Sequence, residues 1–191
     1  MNFDCVIFDM DGTLTEPWLD FDAIRADLGL PAGEPILETI ERMPAERRDQ
    51  FHRRLVDHEM AAARQAPLTP GAHEIVRRIR AAGLALGILT RNTRPALEMV
   101  VERLGLKFDL KLSREDGPVK PDPATLLDAC RQLGVETHRT ACVGDYLYDL
   151  QAANAAGCVS ILLARGREWP WADQADYVIH TLGELAGILG I

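Results

Sequence analysis

Two aspartates separated by a single residue follow the first apolar run of the chain. Asp9 and Asp11 come directly after Cys5 to Phe8, and Gly12 and Thr13 come next. Carboxylates beside a buried strand cost free energy unless a cation or a reaction needs them there. A Gly-Thr pair can turn the chain tightly and offer backbone N–H groups to an anion. The stretch therefore predicts a reactive site, with a solvated acidic turn as the alternative.

Further polar residues stand at the ends of later apolar runs. Thr90 follows Leu84 to Leu89, Asp145 follows Thr140 to Val143 with one glycine between, and Lys120 precedes a predicted helix. In a parallel sheet the carboxyl ends of the strands lie at one edge, where ligands bind. We therefore expect these side chains to lie close to the two N-terminal aspartates.

The chemistry of such a group is restricted by its charges. Four carboxylates would repel one another if they shared one small site, and this repulsion implies a bound hard cation. They belong to Asp9, Asp11, Asp145 and Asp149. Ligand oxygens without nearby His or Cys favour Mg²⁺. Asp145 and Asp149 have the i, i+4 spacing of one helix face. Thr90 and Lys120 suit phosphate oxygens. Together these residues predict phosphoryl transfer through an aspartyl-phosphate.

Strands and helices alternate from residue 69 onward. Thr69 is predicted as an N-cap with Pro70 at the first helical position. The alternation implies right-handed crossovers and a mostly parallel sheet with helices on both faces, an α/β fold. The predicted strands are Cys5 to Phe8, Leu84 to Leu89, Phe108 to Leu112, Thr140 to Val143, Val159 to Leu163 and Tyr177 to Ile179.

The segment 16–69 breaks this alternation, because its patterns are helical throughout. Helices are predicted at Phe21 to Leu28, Ile36 to Arg42 and Ala45 to Ala63, with prolines between them. We therefore predict a core of residues 1–15 and 70–191 with a small all-helical cap, 16–69, inserted after the first strand. On the longest helix His58 is predicted to pack on the apolar face.

Composition excludes several classes of function. The 191 residues are 47% hydrophobic, and 29 acidic against 21 basic residues give a formal charge of -8, which argues against a nucleic-acid partner. No apolar run approaches the roughly 20 residues of a membrane helix, and no signal-peptide pattern opens the chain. We expect a cytoplasmic monomer or homodimer without a membrane partner. The four cysteines lack C-x-x-C spacing and are expected to be buried free thiols.

Four short motifs, in order, resemble those of the haloacid dehalogenase superfamily. The resemblance implies a Rossmann-like three-layer αβα core with a mostly parallel sheet. The motifs are Phe8-Asp9-Met10-Asp11-Gly12-Thr13, Leu89-Thr90, Lys120-Pro121-Asp122-Pro123 and Val143-Gly144-Asp145 through Asp149.

The same resemblance implies roles for individual residues. Asp9 is the expected nucleophile and Asp11 the expected general acid and base. Asp149 either supports the metal through water or pairs with Lys120. The expected phosphate-binding residues are Thr90, Arg91, Asn92, Lys120 and Gly12. The expected Mg²⁺ ligands are Asp9, the backbone carbonyl of Asp11, Asp145 and Asp149.

The predicted function is a Mg²⁺-dependent phosphatase of a small phosphorylated metabolite. An acid at the position of Asp11 disfavours dehalogenation, since a halide leaves without a proton. The cap is similar to that of phosphoglycolate-phosphatase-like and β-phosphoglucomutase-like members but short, which predicts tolerance of bulkier monoesters. The alternatives are a phosphomutase, which the short cap disfavours, and a non-catalytic phosphate-binding regulatory protein, which a second acid-base carboxylate disfavours.

Several other side chains, inside and outside these motifs, carry weaker predictions. The candidate specificity residues are Trp18, Arg53 and His58. Tyr146 and Tyr148 are predicted either to line the site entrance or to pack. The aromatic stretch Trp169 to Trp171 is predicted to pack locally over the sheet edge, with a partner surface as the alternative.

Overall fold

A single six-stranded parallel sheet forms the centre of the protein. The computed structural model describes residues 2–105 and 107–191. The strands are β1 (Cys5–Phe8), β2 (Ala85–Leu89), β3 (Leu110–Leu112), β4 (Thr140–Gly144), β5 (Val159–Leu163) and β6 (Tyr177–Ile179). Their order in the sheet is β3-β2-β1-β4-β5-β6, and every neighbouring pair is parallel. This arrangement confirms the predicted α/β fold.

Helices cover both faces of the sheet, and alternate residues of each strand point to opposite faces. The helices are α1 (Phe21–Leu28), α2 (Ile36–Glu41), α3 (Ala45–Gln65), α4 (Ala72–Ala81), α5 (Arg94–Leu104), α6 (Ala124–Leu133), α7 (Leu147–Ala156) and α8 (Leu185–Leu189). On β1, Val6 and Phe8 pack with α4, α5 and α8, whereas Cys5 and Ile7 pack with α6 and α7. All four cysteines are free and buried.

The first three helices form a small apolar cluster of their own. Its centre includes Ile24 of α1, Ile40 of α2 and Phe51 of α3. The end of α3 is fastened to the core by Arg103 of α5, whose guanidinium donates to the carbonyls of Ala63 at 2.5 Å and Ala66 at 2.8 Å. The last carbonyls of a helix have no partner within the helix, so these two hydrogen bonds stabilise the C-terminal end of α3.

The chain enters and leaves this helical segment through two adjacent crossings. Glu16 N donates to Pro67 O at 2.8 Å, and Thr69 N donates to Leu14 O at 3.0 Å. The two connections thus run side by side as a short ribbon. The division into a core and a cap of residues 16–69 stays a prediction, although both crossings lie at its proposed limits.

Several predicted boundaries differ from the structure by one or two residues, and two of these differences have a visible cause. Helix α4 begins at Ala72 instead of Pro70, because Gly71 adopts φ +85° and the chain makes a further turn after Thr69. Strand β3 is shorter than predicted, because the Asp109 carboxylate accepts the Leu86 N–H at 2.8 Å where a ladder carbonyl would bind. None of the helices in residues 2–105 and 107–191 is both long and apolar enough to cross a membrane.

Candidate active site

The strand order places three of the predicted site residues at one edge of the sheet. β1 lies between β2 and β4, with Phe8 in register with Ile88 and Val143. Asp9, Thr90 and Asp145 follow these strands directly. The direction of the connections reverses between β1 and β4, which is where ligands bind in open parallel sheets.

Lys120 joins two of the aspartates. Its Nζ lies 2.6 Å from Oδ1 of Asp9, 2.6 Å from Oδ1 of Asp149 and 2.9 Å from the Leu89 carbonyl oxygen. The side chain is buried. Burial alone would lower the pKa of Lys120, but the charges of Asp149 and Asp9 raise it above the ordinary value. Lys120 is therefore a fixed positive charge beside the predicted nucleophile.

Asp149 has both carboxylate oxygens engaged. Oδ1 accepts from Lys120, and Oδ2 accepts the Tyr146 N–H at 3.1 Å as part of a capping box at the start of α7. Asp149 therefore pairs with Lys120 in the structure, and its support of a metal through water stays a prediction.

Three carboxylates converge to form a candidate metal site. One oxygen from each of Asp9, Asp145 and Asp149 lies within 4.8 Å of the others. Burial raises the pKa of Asp145 well above its usual value, and the charges of Asp9 and Asp149 raise it further. A divalent cation would relieve this repulsion, and an oxygen-only donor set fits Mg²⁺.

Two glycines allow the acidic loops to approach one another. Gly12 has φ +77°, and a β-carbon there would lie 2.1 Å from Oδ2 of Asp145. A β-carbon on Gly144 would lie 2.3 Å from Cβ of Asp149. Any larger residue at either position would push a site carboxylate away, which explains why these motifs need glycine.

Asp11 is held in a different environment from the other aspartates. Its Oδ2 accepts a hydrogen bond from Asn92 Nδ2 at 2.7 Å. Burial, followed by the charges of Asp9 and Glu59, raises the pKa of Asp11 to about 8. A carboxyl that stays protonated at neutral pH can give its proton to a departing oxygen.

The residues after β2 form the next wall of the site. Thr90 is buried, and its Oγ1 accepts the Asn92 N–H at 3.1 Å. Arg91 pairs with Glu38 of α2 at 2.7 Å, donates to the Lys120 carbonyl and lies 4.7 Å above the Tyr148 ring. Its guanidinium thus joins the helical segment to the core, and its role in phosphate binding stays a prediction.

Sequence reasoning missed a buried ion pair beside the site. Glu59 of α3 pairs with Arg114, and both side chains are almost fully enclosed, with 4% and 11% of their surfaces exposed. Glu59 also accepts the Thr93 N–H at 3.3 Å. The sequence carried a signal for the burial of Glu59, because this residue lies four positions after Leu55, on the buried face of α3.

His58, which was predicted to pack on the apolar face of α3, is instead half-exposed and bonds to Asp27 at 3.0 Å.

Arg165 is the second residue that the sequence did not reveal. It follows β5 with φ +53°, and its guanidinium donates to the Gly12 carbonyl at 2.7 Å, to Thr69 Oγ1 at 2.7 Å and to Glu16 at 2.9 Å. One side chain therefore fastens the loop after β1 to both crossings of the helical segment.

The aromatic stretch after β5 packs locally. Trp169 and Trp171 stack with ring centres 4.8 Å apart and lie against Leu150 and Leu162. Tyr146 makes an edge-to-face contact with Trp171 at 5.4 Å. The tryptophans therefore support the start of α7, where Asp149 lies.

The site residues open into a cavity of about 500 Å³ between the helical segment and the sheet edge. Asp9, Asp11, Thr90, Lys120 and Asp145 all contribute to its walls, and so do Gly12, Arg91, Asn92 and Asp149. The structure thus brings every predicted site residue to one cavity. Of the predicted specificity residues, Trp18 lines the cavity, whereas Arg53 and His58 do not.

Known proteins resemble this chain along most of its length. Residues 3–157 match the family of haloacid dehalogenase-like hydrolases. An uncharacterized hydrolase of Saccharomyces cerevisiae is 34% identical over 83% of this chain and 76% of its own length. A phosphoglycolate phosphatase of Chromobacterium violaceum is 29% identical over 96% of this chain and 95% of its own. The crystal structure of a haloacid dehalogenase phosphatase from Thermococcus onnurineus superposes with a TM-score of 0.73 and 26% identity, over 98% of both chains.

Proposed function

The chain belongs to the haloacid dehalogenase-like hydrolase family as a phosphoric monoester hydrolase, and we propose that it hydrolyses a small phosphorylated metabolite through an aspartyl-phosphate at Asp9, with Mg²⁺. The observation that carries this proposal is the bonding of one buried lysine to the proposed nucleophile, next to a second carboxyl whose pKa burial and neighbouring charges raise to about 8. A non-catalytic phosphate-binding protein would need Lys120, but it would have no use for an acid at Asp11.

The first half of the proposed reaction transfers the phosphoryl group to the enzyme. A carboxylate oxygen of Asp9 attacks phosphorus while the bond from phosphorus to the ester oxygen breaks. Asp11 gives its proton to that oxygen, so the product leaves as a neutral alcohol. Protonation by a positioned acid contributes about 10² to 10⁴ in rate.

The second half releases inorganic phosphate. Asp11, now a carboxylate, takes a proton from water as the water oxygen attacks the phosphorus of the aspartyl-phosphate. The bond between phosphorus and the Asp9 oxygen breaks, and both aspartates return to their starting states. The Asn92 amide, 2.7 Å from Asp11, holds this carboxyl in place through both steps.

Charge on the transferring group is stabilised by several parts of the site. Lys120, Thr90, Asn92 and the backbone N–H of Gly12 are the proposed phosphate contacts. Mg²⁺, held by Asp9, Asp145 and the backbone carbonyl of Asp11, would neutralise phosphate oxygens. We assign Asp149 to positioning Lys120, because its own oxygens are both occupied by protein donors.

The helical segment, residues 16–69, is the proposed cap of the cavity. Glu38 reaches the core through Arg91, and Glu59 reaches it through Arg114. Two ion pairs from different cap helices would keep water access to the site restricted while substrate is bound. Cytoplasmic location and a monomeric or homodimeric state stay predictions.

The test is release of inorganic phosphate from a panel of phosphorylated metabolites, with Mg²⁺ and then with EDTA. We expect metal-dependent turnover that the Asp9→Asn variant lacks. Asp128→Asn, which changes an exposed aspartate on α6, is the matched control and keeps full turnover. A folded Asp9→Asn enzyme with near-normal turnover would refute the nucleophile. Intramolecular transfer of phosphate without release would favour a mutase.

A further inference from the structure

The exposed aromatic side chains of the described residues concentrate at one place. Trp18, Phe21 and Tyr146 line the cavity of the proposed active site, and their exposed fractions are 48%, 52% and 45%. Tyr177 on β6 is exposed as well but lies elsewhere. Large aromatic surfaces exposed in a concave site indicate contact with an apolar part of a ligand.

The cations that line this cavity already have partners. Lys120 is bonded to two aspartates, Arg91 to Glu38 at 2.7 Å, and Arg25 to Asp22 at 2.8 Å and to the Glu34 carbonyl at 2.8 Å. Among the described residues of the cavity wall, no Lys or Arg is therefore left unpaired. An anionic group on the alcohol side of a substrate would have to break one of these pairs.

Negative charge dominates the same wall. Even without Glu59, which is paired with Arg114, and Asp11, whose pKa burial raises, the wall carries more carboxylates than cations, so a carboxylate on the leaving alcohol would find no free positive side chain among the described residues there. The lining carboxylates are Asp9, Asp11, Asp20, Asp22, Glu59, Asp145 and Asp149.

We propose that the substrate is a phosphate monoester of an uncharged alcohol with an aromatic or similarly flat apolar portion, which packs on Trp18, Phe21 and Tyr146. This assignment rests on the proposed phosphatase function and specifies its substrate class. It separates this chain from the relatives named for phosphoglycolate, whose alcohol portion carries a carboxylate. The cavity, at about 500 Å³, has room for a ring beside the phosphate.

Hydrolysis of three esters tests the proposal directly. Benzyl phosphate, ethyl phosphate and 2-phosphoglycolate are all esters of aliphatic hydroxyl groups but differ in the group attached. We expect kcat/KM for benzyl phosphate to exceed that for each of the other two by about tenfold or more, the range for an apolar group in a matching pocket. A preference for 2-phosphoglycolate, or equal values for benzyl and ethyl phosphate, would overturn the proposal.

Variants of the aromatic wall supply the second measurement. Trp18→Ala and Phe21→Ala should each lower the ratio of kcat/KM between benzyl and ethyl phosphate by about fivefold to tenfold. Tyr177→Ala removes an exposed aromatic ring outside the cavity and should leave the ratio unchanged. If neither Trp18→Ala nor Phe21→Ala changes the ratio, the proposed contact between the substrate and these aromatic rings is wrong.

Binding of unreactive analogues separates this proposal from the proposed function. Calorimetry with wild-type protein and Mg²⁺ compares 2-phenylethylphosphonate with 3-phosphonopropionate, which carry a phenyl ring and a carboxylate on the same skeleton. Tighter binding of the phenyl compound without turnover of any ester would support the pocket assignment and refute the phosphatase. Tighter binding of the carboxylate compound would refute the pocket assignment, whether or not esters are hydrolysed.

Discussion

A β-carbon placed on Gly12 would lie 2.1 Å from Oδ2 of Asp145, so the loop after β1 and the loop after β4 touch at a point that only glycine permits. The contact brings Asp145 against the loop that carries Asp9 and Asp11. Because the candidate metal ligands come from both loops, their spacing depends on this single close approach.

Gly12→Ala is therefore expected to abolish most turnover and most of the Mg²⁺-induced rise in Tm. Turnover should fall by at least about 10²-fold, since misplacement of about 1 Å at a catalytic site has effects of that size. Gly83→Ala is the matched control, because Gly83 has φ +75° with no heavy atom within 4 Å of its would-be β-carbon. Both variants carry the backbone cost of alanine at positive φ, about 1–2 kcal/mol. Equal turnover in the two would contradict the role of the contact.

Lys120→Met is expected to destabilise the apoprotein strongly. Removing this ammonium leaves Asp9 and Asp149 buried without their partner, and breaking a buried pair in this way costs about 3–5 kcal/mol. Urea denaturation in EDTA measures the loss. Lys111→Met is the control, because its pair with Glu98 is partly exposed and such pairs contribute at most about 1 kcal/mol. Similar losses for the two lysines would argue against a fixed charge at Lys120.

Mg²⁺ is expected to raise the Tm of the wild-type protein, and EDTA should reverse the rise. The cation would bind the folded state, in which the carboxylate oxygens of Asp9 and Asp145 lie close together, and ligand binding to the folded state stabilises it. Asp145→Asn should lose most of this shift, as differential scanning fluorimetry would show. Asp128→Asn, an exposed change of the same kind, should keep it. An unchanged shift in Asp145→Asn would place the cation elsewhere.

Glu59 and Arg114 are expected to be strongly coupled. Glu59→Gln and Arg114→Met should each cost about 3–5 kcal/mol of unfolding free energy, because each leaves one buried charge unpaired. The double variant should cost less than the sum of the single variants, with a coupling of about 0.5–3 kcal/mol. Urea denaturation of all four proteins gives the cycle. The exposed pair of Asp128 and Arg131 serves as a reference cycle and should be nearly additive. Additive effects at Glu59 and Arg114 would show that the two charges act independently.

Much of the fold and of the candidate site could be predicted from the sequence because the relevant signals are local. A buried apolar run followed by Asp9 and Asp11 indicates a strand end on its own. The alternation of helices and strands then implies that Thr90 and Asp145 reach the same edge, since parallel strands share their carboxyl ends. The ends of strands were less predictable where a single side chain decides them. At the start of β3, for example, the Asp109 carboxylate accepts the Leu86 N–H in place of a backbone carbonyl.

The contacts that complete the site depended on the tertiary structure. Glu59 and Arg114 are 55 residues apart, and Arg165 and Gly12 are 153 apart. Neither pairing follows from the spacing of its residues in the sequence. The first pairing depends on how α3 packs over the sheet, and the second depends on where the loop after β5 crosses the sheet. The sequence by itself determined which groups stand at the strand ends. Only the packing of distant segments decided their partners, because burial, which makes each pairing necessary, exists only in the assembled fold.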